Sequence, residues 1–143
     1  MIKSLIKKII ELSPQTSLFL RTLRDQLDRN DPPIKTPWGF TLAGGRSMAI
    51  GDFEPSETQI VRHLLTEVDV LVNIGANVGY YCLHALSLGK SVIAAEPISR
   101  NLHYLLRNIR DNGWAKEAEI FPVALGQSID ILEIFGGDRG LSH

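Results

Sequence analysis

The stretch Asp69-Val-Leu-Val-Asn-Ile-Gly-Ala-Asn-Val-Gly79 decides the fold. Its first six residues, DVLVNI, are a short apolar run with β-branched members, as expected of a parallel strand covered on both faces. Gly75 and Gly79 permit the sharp turn by which such a strand hands over to a helix. That helix should run to about Leu88, with Gly89 as the left-handed residue at its C-terminal end, and Ser91 to Ala95 (SVIAA) supplies a second buried strand. Glu96-Pro97 closes that strand. Leu102, Leu105, Leu106 and Ile109 mark the buried face of another helix stopping near Gly113, and Glu119 to Val123 (EIFPV) begins a third strand. Strands alternating with helices at this spacing predict an α/β protein with a Rossmann-like, doubly wound parallel sheet.

Working outward, Ile2, Leu5, Ile6, Ile9 and Ile10 recur at helical spacing opposite Lys3, Lys7 and Lys8, and Ser13-Pro14 caps a second helix reaching about Arg29. The Asn30 to Pro33 cluster ends it, so residues 1–37 read as a helical extension and 38–143 as the main domain. Trp38 to Ala43 and Ser47 to Ile50 read as short strands flanking Gly44-Gly45-Arg46, a β-hairpin added to the main sheet. Ser56 and Gln59 have the form of a capping box, with Ile60, Leu64 and Leu65 as the buried stripe of the helix it starts. A sheet of only three strands leaves an open edge that invites self-association, and Ile129 to Phe135 is expected to fold back over part of it.

The 143-residue chain carries 15 basic and 16 acidic residues, a balance that does not favour nucleic acid as a partner. Its single cysteine, Cys82, excludes an internal disulfide and a multi-thiolate metal site, and makes the cytoplasm the default compartment. No apolar run approaches the ~20 residues of a spanning helix, and the lysines near the N-terminus interrupt any secretory apolar core. The basic N-terminal segment is short and lacks Trp or Phe on its apolar face, so docking on its own domain is expected over binding to anionic membrane.

The glycine loop carries the chemistry. A pyrophosphate-binding turn reads G-x-G-x-x-G, but Asn73 stands two residues before Gly75 and Asn77 two after it. An amide followed by G-x-x-x-G suits a ligand with an amino acid and a sulfonium in place of phosphates, because side chains can hydrogen-bond its ammonium and carboxylate. S-adenosylmethionine is therefore expected over NAD. Glu96 ends the second strand 21 positions after Gly75, close to the ~20 at which an acidic residue accepts from ribose hydroxyls.

The runs DVLVNIGANVGYYCLHAL, VIAAEPISRNLHYLLRNIRDNG and EIFPVALG, with DFEPSET upstream, resemble the FkbM family of S-adenosylmethionine-dependent methyltransferases over roughly residues 38 to 135. The resemblance implies a class I methyltransferase fold. The cofactor's methionine end would lie near Gly75, Ala76, Asn77 and Gly79, its ribose at Glu96 beside Pro97, and its adenine by Val123 and Ala124. It also implies that Glu57 belongs to a lid over the cofactor. Two departures stand out. Asn73 replaces the family's Asp at the head of the loop, losing a charge that would pair with the ammonium. The family also continues into an Asp-x-Glu-Gly strand and further elements that this sequence does not contain, so the domain reads as partial.

Methyl transfer needs an in-line nucleophile more than acid–base machinery. His63, His84, His103 and His143 do not fall on the loop, Cys82 reads as a small core residue, and no catalytic residue is assigned. Tyr80 can edge against the cofactor. Asn101 can reach the pocket, whereas Asn108 is expected to face solvent. The expected function is O-methylation of a sugar or small metabolite. The alternatives are a non-catalytic remnant that binds adenosine compounds or serves as an interaction module, and an NAD-linked oxidoreductase.

Overall fold

The structure, a computed structural model, describes residues 32–131. The chain divides into two units, Met1–Pro32 and Pro33–His143. The two N-terminal helices expected from the sequence lie outside the described residues, as does most of the Ile129 to Phe135 segment. The described part of that segment, 129–131, is exposed and not in a strand.

Strands β1 (Ile34–Lys35) and β2 (Thr41–Leu42) pair antiparallel as a separate two-stranded sheet. Helices α1 (Arg46–Ile50) and α2 (Pro55–Leu64) follow. The remaining elements alternate as β3 (Val70–Ile74), α3 (Tyr80–Ser87), β4 (Ser91–Ala95), α4 (Ser99–Asp111) and β5 (Ala118–Phe121). Strands β3, β4 and β5 form a parallel sheet in that order, with Val72 opposite Ile93 and Ile93 opposite Glu119. The expected α/β fold, a parallel sheet flanked by helices, is thus present. Its helices end where glycines take left-handed backbone conformations, at Gly89 after α3 (φ 73°) and Gly113 after α4 (φ 80°).

The sheet departs from the expected double winding in being covered on one face only by the described residues. Both crossovers run in the same direction across the sheet, and right-handed connections then place α3 and α4 on one side. On that side Val92 and Ala94 are buried with Cys82, Leu83, Leu86, Leu105 and Ile109. On the other, Val70, Val72, Ile74, Ile93 and Phe121 remain exposed, Val72 and Ile74 by 62% and 64%.

Three further expectations are corrected. Ser47 to Ile50 belongs to α1 and not to a strand, because Ser-Met-Ala-Ile follows an extended Gly45 and ends at a left-handed Gly51. The hairpin turns earlier, at residues 36–40, where the Thr36 N–H and hydroxyl both donate to the Phe40 carbonyl at 2.8 and 2.9 Å. It is a separate sheet and not an extension of the main one. Finally, α2 starts at Pro55, whose missing N–H costs nothing in a first turn, and no side-chain cap at Ser56 is made. Thr58, Val61 and Leu65, spaced three and four apart, face inward, while Ile60 and Leu64 are exposed.

The hairpin is fastened to α4 by two asparagines one helical turn apart. Asn112 accepts the Thr41 N–H (2.9 Å) and donates to the Thr41 carbonyl (2.8 Å). Asn108 does the same for Ala43, at 2.8 and 3.0 Å. The two side-chain amides satisfy the alternate backbone groups that a neighbouring strand would take. Asn108 is therefore buried, 2% exposed, and not solvent-facing as its polarity suggested. At Gly44, with φ 85°, an added Cβ would lie 2.5 Å from the Tyr104 ring, so only glycine lets the hairpin approach α4 this closely.

Candidate functional site

The turn from β3 into α3 requires three left-handed residues, Gly75 (φ 77°), Asn77 (φ 54°) and Gly79 (φ 93°). Asparagine is among the few side chains that tolerate this region. A Cβ on Gly75 would meet open space, whereas one on Gly79 would sit 2.6 Å from Leu105 Cδ1. Gly79 thus permits the close approach of α4.

Four of the amide hydrogens of this loop, those of Gly75, Ala76, Asn77 and Gly79, are spent within the protein. Gly75 and Ala76 both donate to the Ala95 carbonyl, at 2.9 and 3.1 Å, and Gly79 donates to Ala76 at 2.9 Å. Asn77 donates its backbone N–H to Glu96 Oε2 at 2.7 Å. Glu96, at the end of β4, is only 3% exposed. Its Oε1 accepts from the Ile98 N–H at 2.9 Å and lies 3.4 Å from Asn101 Nδ2. Such bonds from backbone amides to a side-chain carboxyl hold the loop in place.

Beside Glu96 a cleft of about 640 Å³ opens at the C-terminal ends of β4 and β5, lined by Pro97, Pro122, Val123, Ala124 and residues 125–131. Glu96, Pro97, Asn101, Val123 and Ala124, singled out from the sequence, thus lie around one end of the parallel sheet, where α/β proteins place ligands. The other candidates lie elsewhere. Asn73 donates through Nδ2 to Cys82 Sγ at 3.4 Å, under α3. Glu57 is exposed in the first turn of α2, and the buried residue beside it is Thr58. Tyr80 is buried and its hydroxyl lies 2.9 Å from Thr58 Oγ1, while burial raises its pKa above the usual phenol value. Tyr81 donates to Glu54 Oε2 at 2.7 Å; burial and this bond push its phenol up as well.

No local pattern of residues announces the cluster around His84. The ring is fully buried on α3, edge-on to Trp38, Tyr80 and Phe40 at centroid distances of 4.4, 4.7 and 5.1 Å. Arg62 Nη1 lies 2.9 Å from His84 Nδ1. Arginine can only donate, so Nδ1 accepts and the proton of the neutral ring sits on Nε2, which has no hydrogen-bond partner among these rings. Burial, and then the Arg62 charge, bring its pKa down to about 4. Cys82 is also fully buried, which pushes its thiol up to about 11. Neither group is placed to act as a base at the loop. The described residues contain no cluster of metal-ligating side chains and no helix long and apolar enough to cross a membrane.

No protein-family model matches the chain, and no curated protein matches it. Among solved structures it is similar to a protein from Pyrococcus horikoshii described as "a putative RNA methyltransferase", with 20% identity and a TM-score of 0.43. The alignment covers 68% of this chain and 48% of that one, so the chain spans about half the length of that neighbour.

Proposed function

We propose that the loop from Gly75 to Gly79, with Glu96 and Pro97, binds the adenosine part of S-adenosylmethionine. On this reading the chain carries the cofactor-binding part of an FkbM-type methyltransferase whose acceptor is the oxygen of a sugar or small metabolite. The observation that carries the proposal is the fate of the loop amides. In a dinucleotide site the backbone N–H groups point at the pyrophosphate. Here Gly75, Ala76, Asn77 and Gly79 spend theirs on Ala95, Glu96 and Ala76. That favours a ligand without phosphates. Glu96 Oε2 takes the Asn77 amide and retains a lone pair for a ribose hydroxyl. The cleft bounded by Pro97, Val123 and Ala124 offers apolar walls to a purine.

The bound cofactor would supply an electrophilic methyl group, so the protein's part is to bind, orient and exclude water. Asn73 supplies no charge to pair with the ammonium of the cofactor, and its amide nitrogen is directed at Cys82. A second reading, a binder without catalysis, is favoured by the burial of His84 and Cys82, which leaves neither available as a base.

Calorimetric titration of the full chain with S-adenosylhomocysteine and with NAD tests the proposal. S-adenosylhomocysteine should bind, NAD should not, and Glu96→Ala should weaken binding at least about tenfold through loss of the ribose acceptor and of the loop's anchor. A folded chain that ignores S-adenosylhomocysteine, or prefers NAD, would refute the site.

A further inference from the structure

One side chain joins the hairpin to the glycine loop. Besides pairing with both backbone groups of Ala43, Asn108 donates through Nδ2 to the Val78 carbonyl at 2.9 Å. Asn112 makes the same paired contact with Thr41, but its other Nδ2 hydrogen goes back to Asn108 O within α4, at 2.8 Å, and does not reach the loop. We propose that Asn108 is a positioning residue for the ligand loop, coupling the hairpin's attachment to the affinity for the adenosine ligand. This inference rests on the reading of Gly75 to Gly79 as the cofactor site.

The geometry explains why the coupling falls on this residue. Val78 precedes Gly79, so holding its carbonyl fixes the peptide plane on which the left-handed turn at Gly79 closes. Leu105, one helical turn before Asn108, fills the space that a side chain at Gly79 would need. The loop's exit is therefore held from α4 at two adjacent points, one apolar and one polar. Both Nδ2 hydrogens of Asn108 and its Oδ1 are engaged in a buried setting, a pattern aspartate cannot make for want of donors and leucine cannot make at all. Such coupling is reciprocal: if the hairpin steadies the loop, a ligand on the loop must steady the hairpin.

The test compares Asn108→Ala with Asn112→Ala, which loosens the same hairpin without touching the loop. S-adenosylhomocysteine affinity should fall at least about tenfold further in Asn108→Ala than in Asn112→Ala. Hydrogen exchange at the Asn77 and Gly79 amides should accelerate only in the former. Equal affinities and equal loop exchange in the two variants would overturn the proposal and leave Asn108 a purely structural clamp. Should Asn108→Ala fail to fold, the unmodified chain decides: S-adenosylhomocysteine should slow exchange at the Thr41 and Ala43 amides, and unchanged exchange would overturn the coupling. If the unmodified chain binds no S-adenosylhomocysteine, the functional reading falls, while the difference in loop exchange between the two variants still judges the coupling.

Discussion

Lowering the pH should destabilise this protein through His84. The ring is neutral in the fold because burial and the Arg62 guanidinium 2.9 Å from Nδ1 hold its pKa at about 4, against 6.5 for the exposed group. The unfolded chain therefore binds a proton that the folded chain refuses. The contribution of the neutral ring is complete above pH 6.5, declines as pH falls toward 4, and changes no further below that. A difference of 2.5 between the two values (6.5 − 4) corresponds to about 3 kcal/mol, a large fraction of a domain's stability. Urea denaturation from pH 7.5 to 4 measures it, with His84→Gln as control, since glutamine can accept from Arg62 but does not titrate. The unmodified chain should lose about 3 kcal/mol more than the variant over this range. Parallel curves for the two proteins, or an NMR titration of His84 centred near 6.5, would refute the argument.

The two loop glycines should respond differently to alanine. Gly75→Ala meets no atoms and should cost only the ~1–2 kcal/mol of a left-handed alanine, whereas Gly79→Ala adds a collision with Leu105 and should cost a further ~1–3 kcal/mol, read from denaturation midpoints. The exposed face of Val70, Val72, Ile74, Ile93 and Phe121, beside the edge of β3 that pairs with no strand among the described residues, should make the chain self-associate. Val72→Lys should weaken that association at least about tenfold in sedimentation velocity, and a monomer at every concentration would contradict the expectation.

Much of this architecture can be read from residue patterns because parallel strands with glycine turns leave strong local marks. DVLVNIG, SVIAAEP and the leucine spacing of α4 each specify period, boundary and burial together. Ser47 to Ile50 misled because four residues are too few to separate a period of two from one of 3.6, and the preceding glycine pair resembles a hairpin turn. Asn108 misled because polarity signals solvent unless a buried partner is known, and its partners are carbonyls and amides 30 and 65 residues away in sequence. Glu96 stands out in the sequence by its distance from the glycines. Its engagement with Asn77 and Ile98 does not, since backbone amides leave no trace in residue type. The His84 cluster depends on Trp38 and Phe40 arriving from the hairpin, a long-range meeting that no local pattern reports.

The clasp of Asn112 on Thr41 also bears on how the molecule ages. Asn112 is followed by Gly113, and an asparagine before glycine is chemically fragile: the glycine nitrogen can close on the side-chain carbonyl carbon, expel ammonia, and leave a ring that water opens to a carboxylate. In the folded chain the side-chain oxygen is held by the Thr41 N–H, its nitrogen by the Thr41 and Asn108 carbonyls, and the Gly113 N–H by Arg110 O at 2.9 Å. The reaction is therefore confined to moments when the hairpin lifts away. A carboxylate formed then has no hydrogen to return to the Thr41 carbonyl, so the hairpin closes less firmly and lifts more often. Deamidation at position 112 is therefore expected to follow the opening of the hairpin, and the extra negative charge, read by isoelectric focusing of aged protein, checks it.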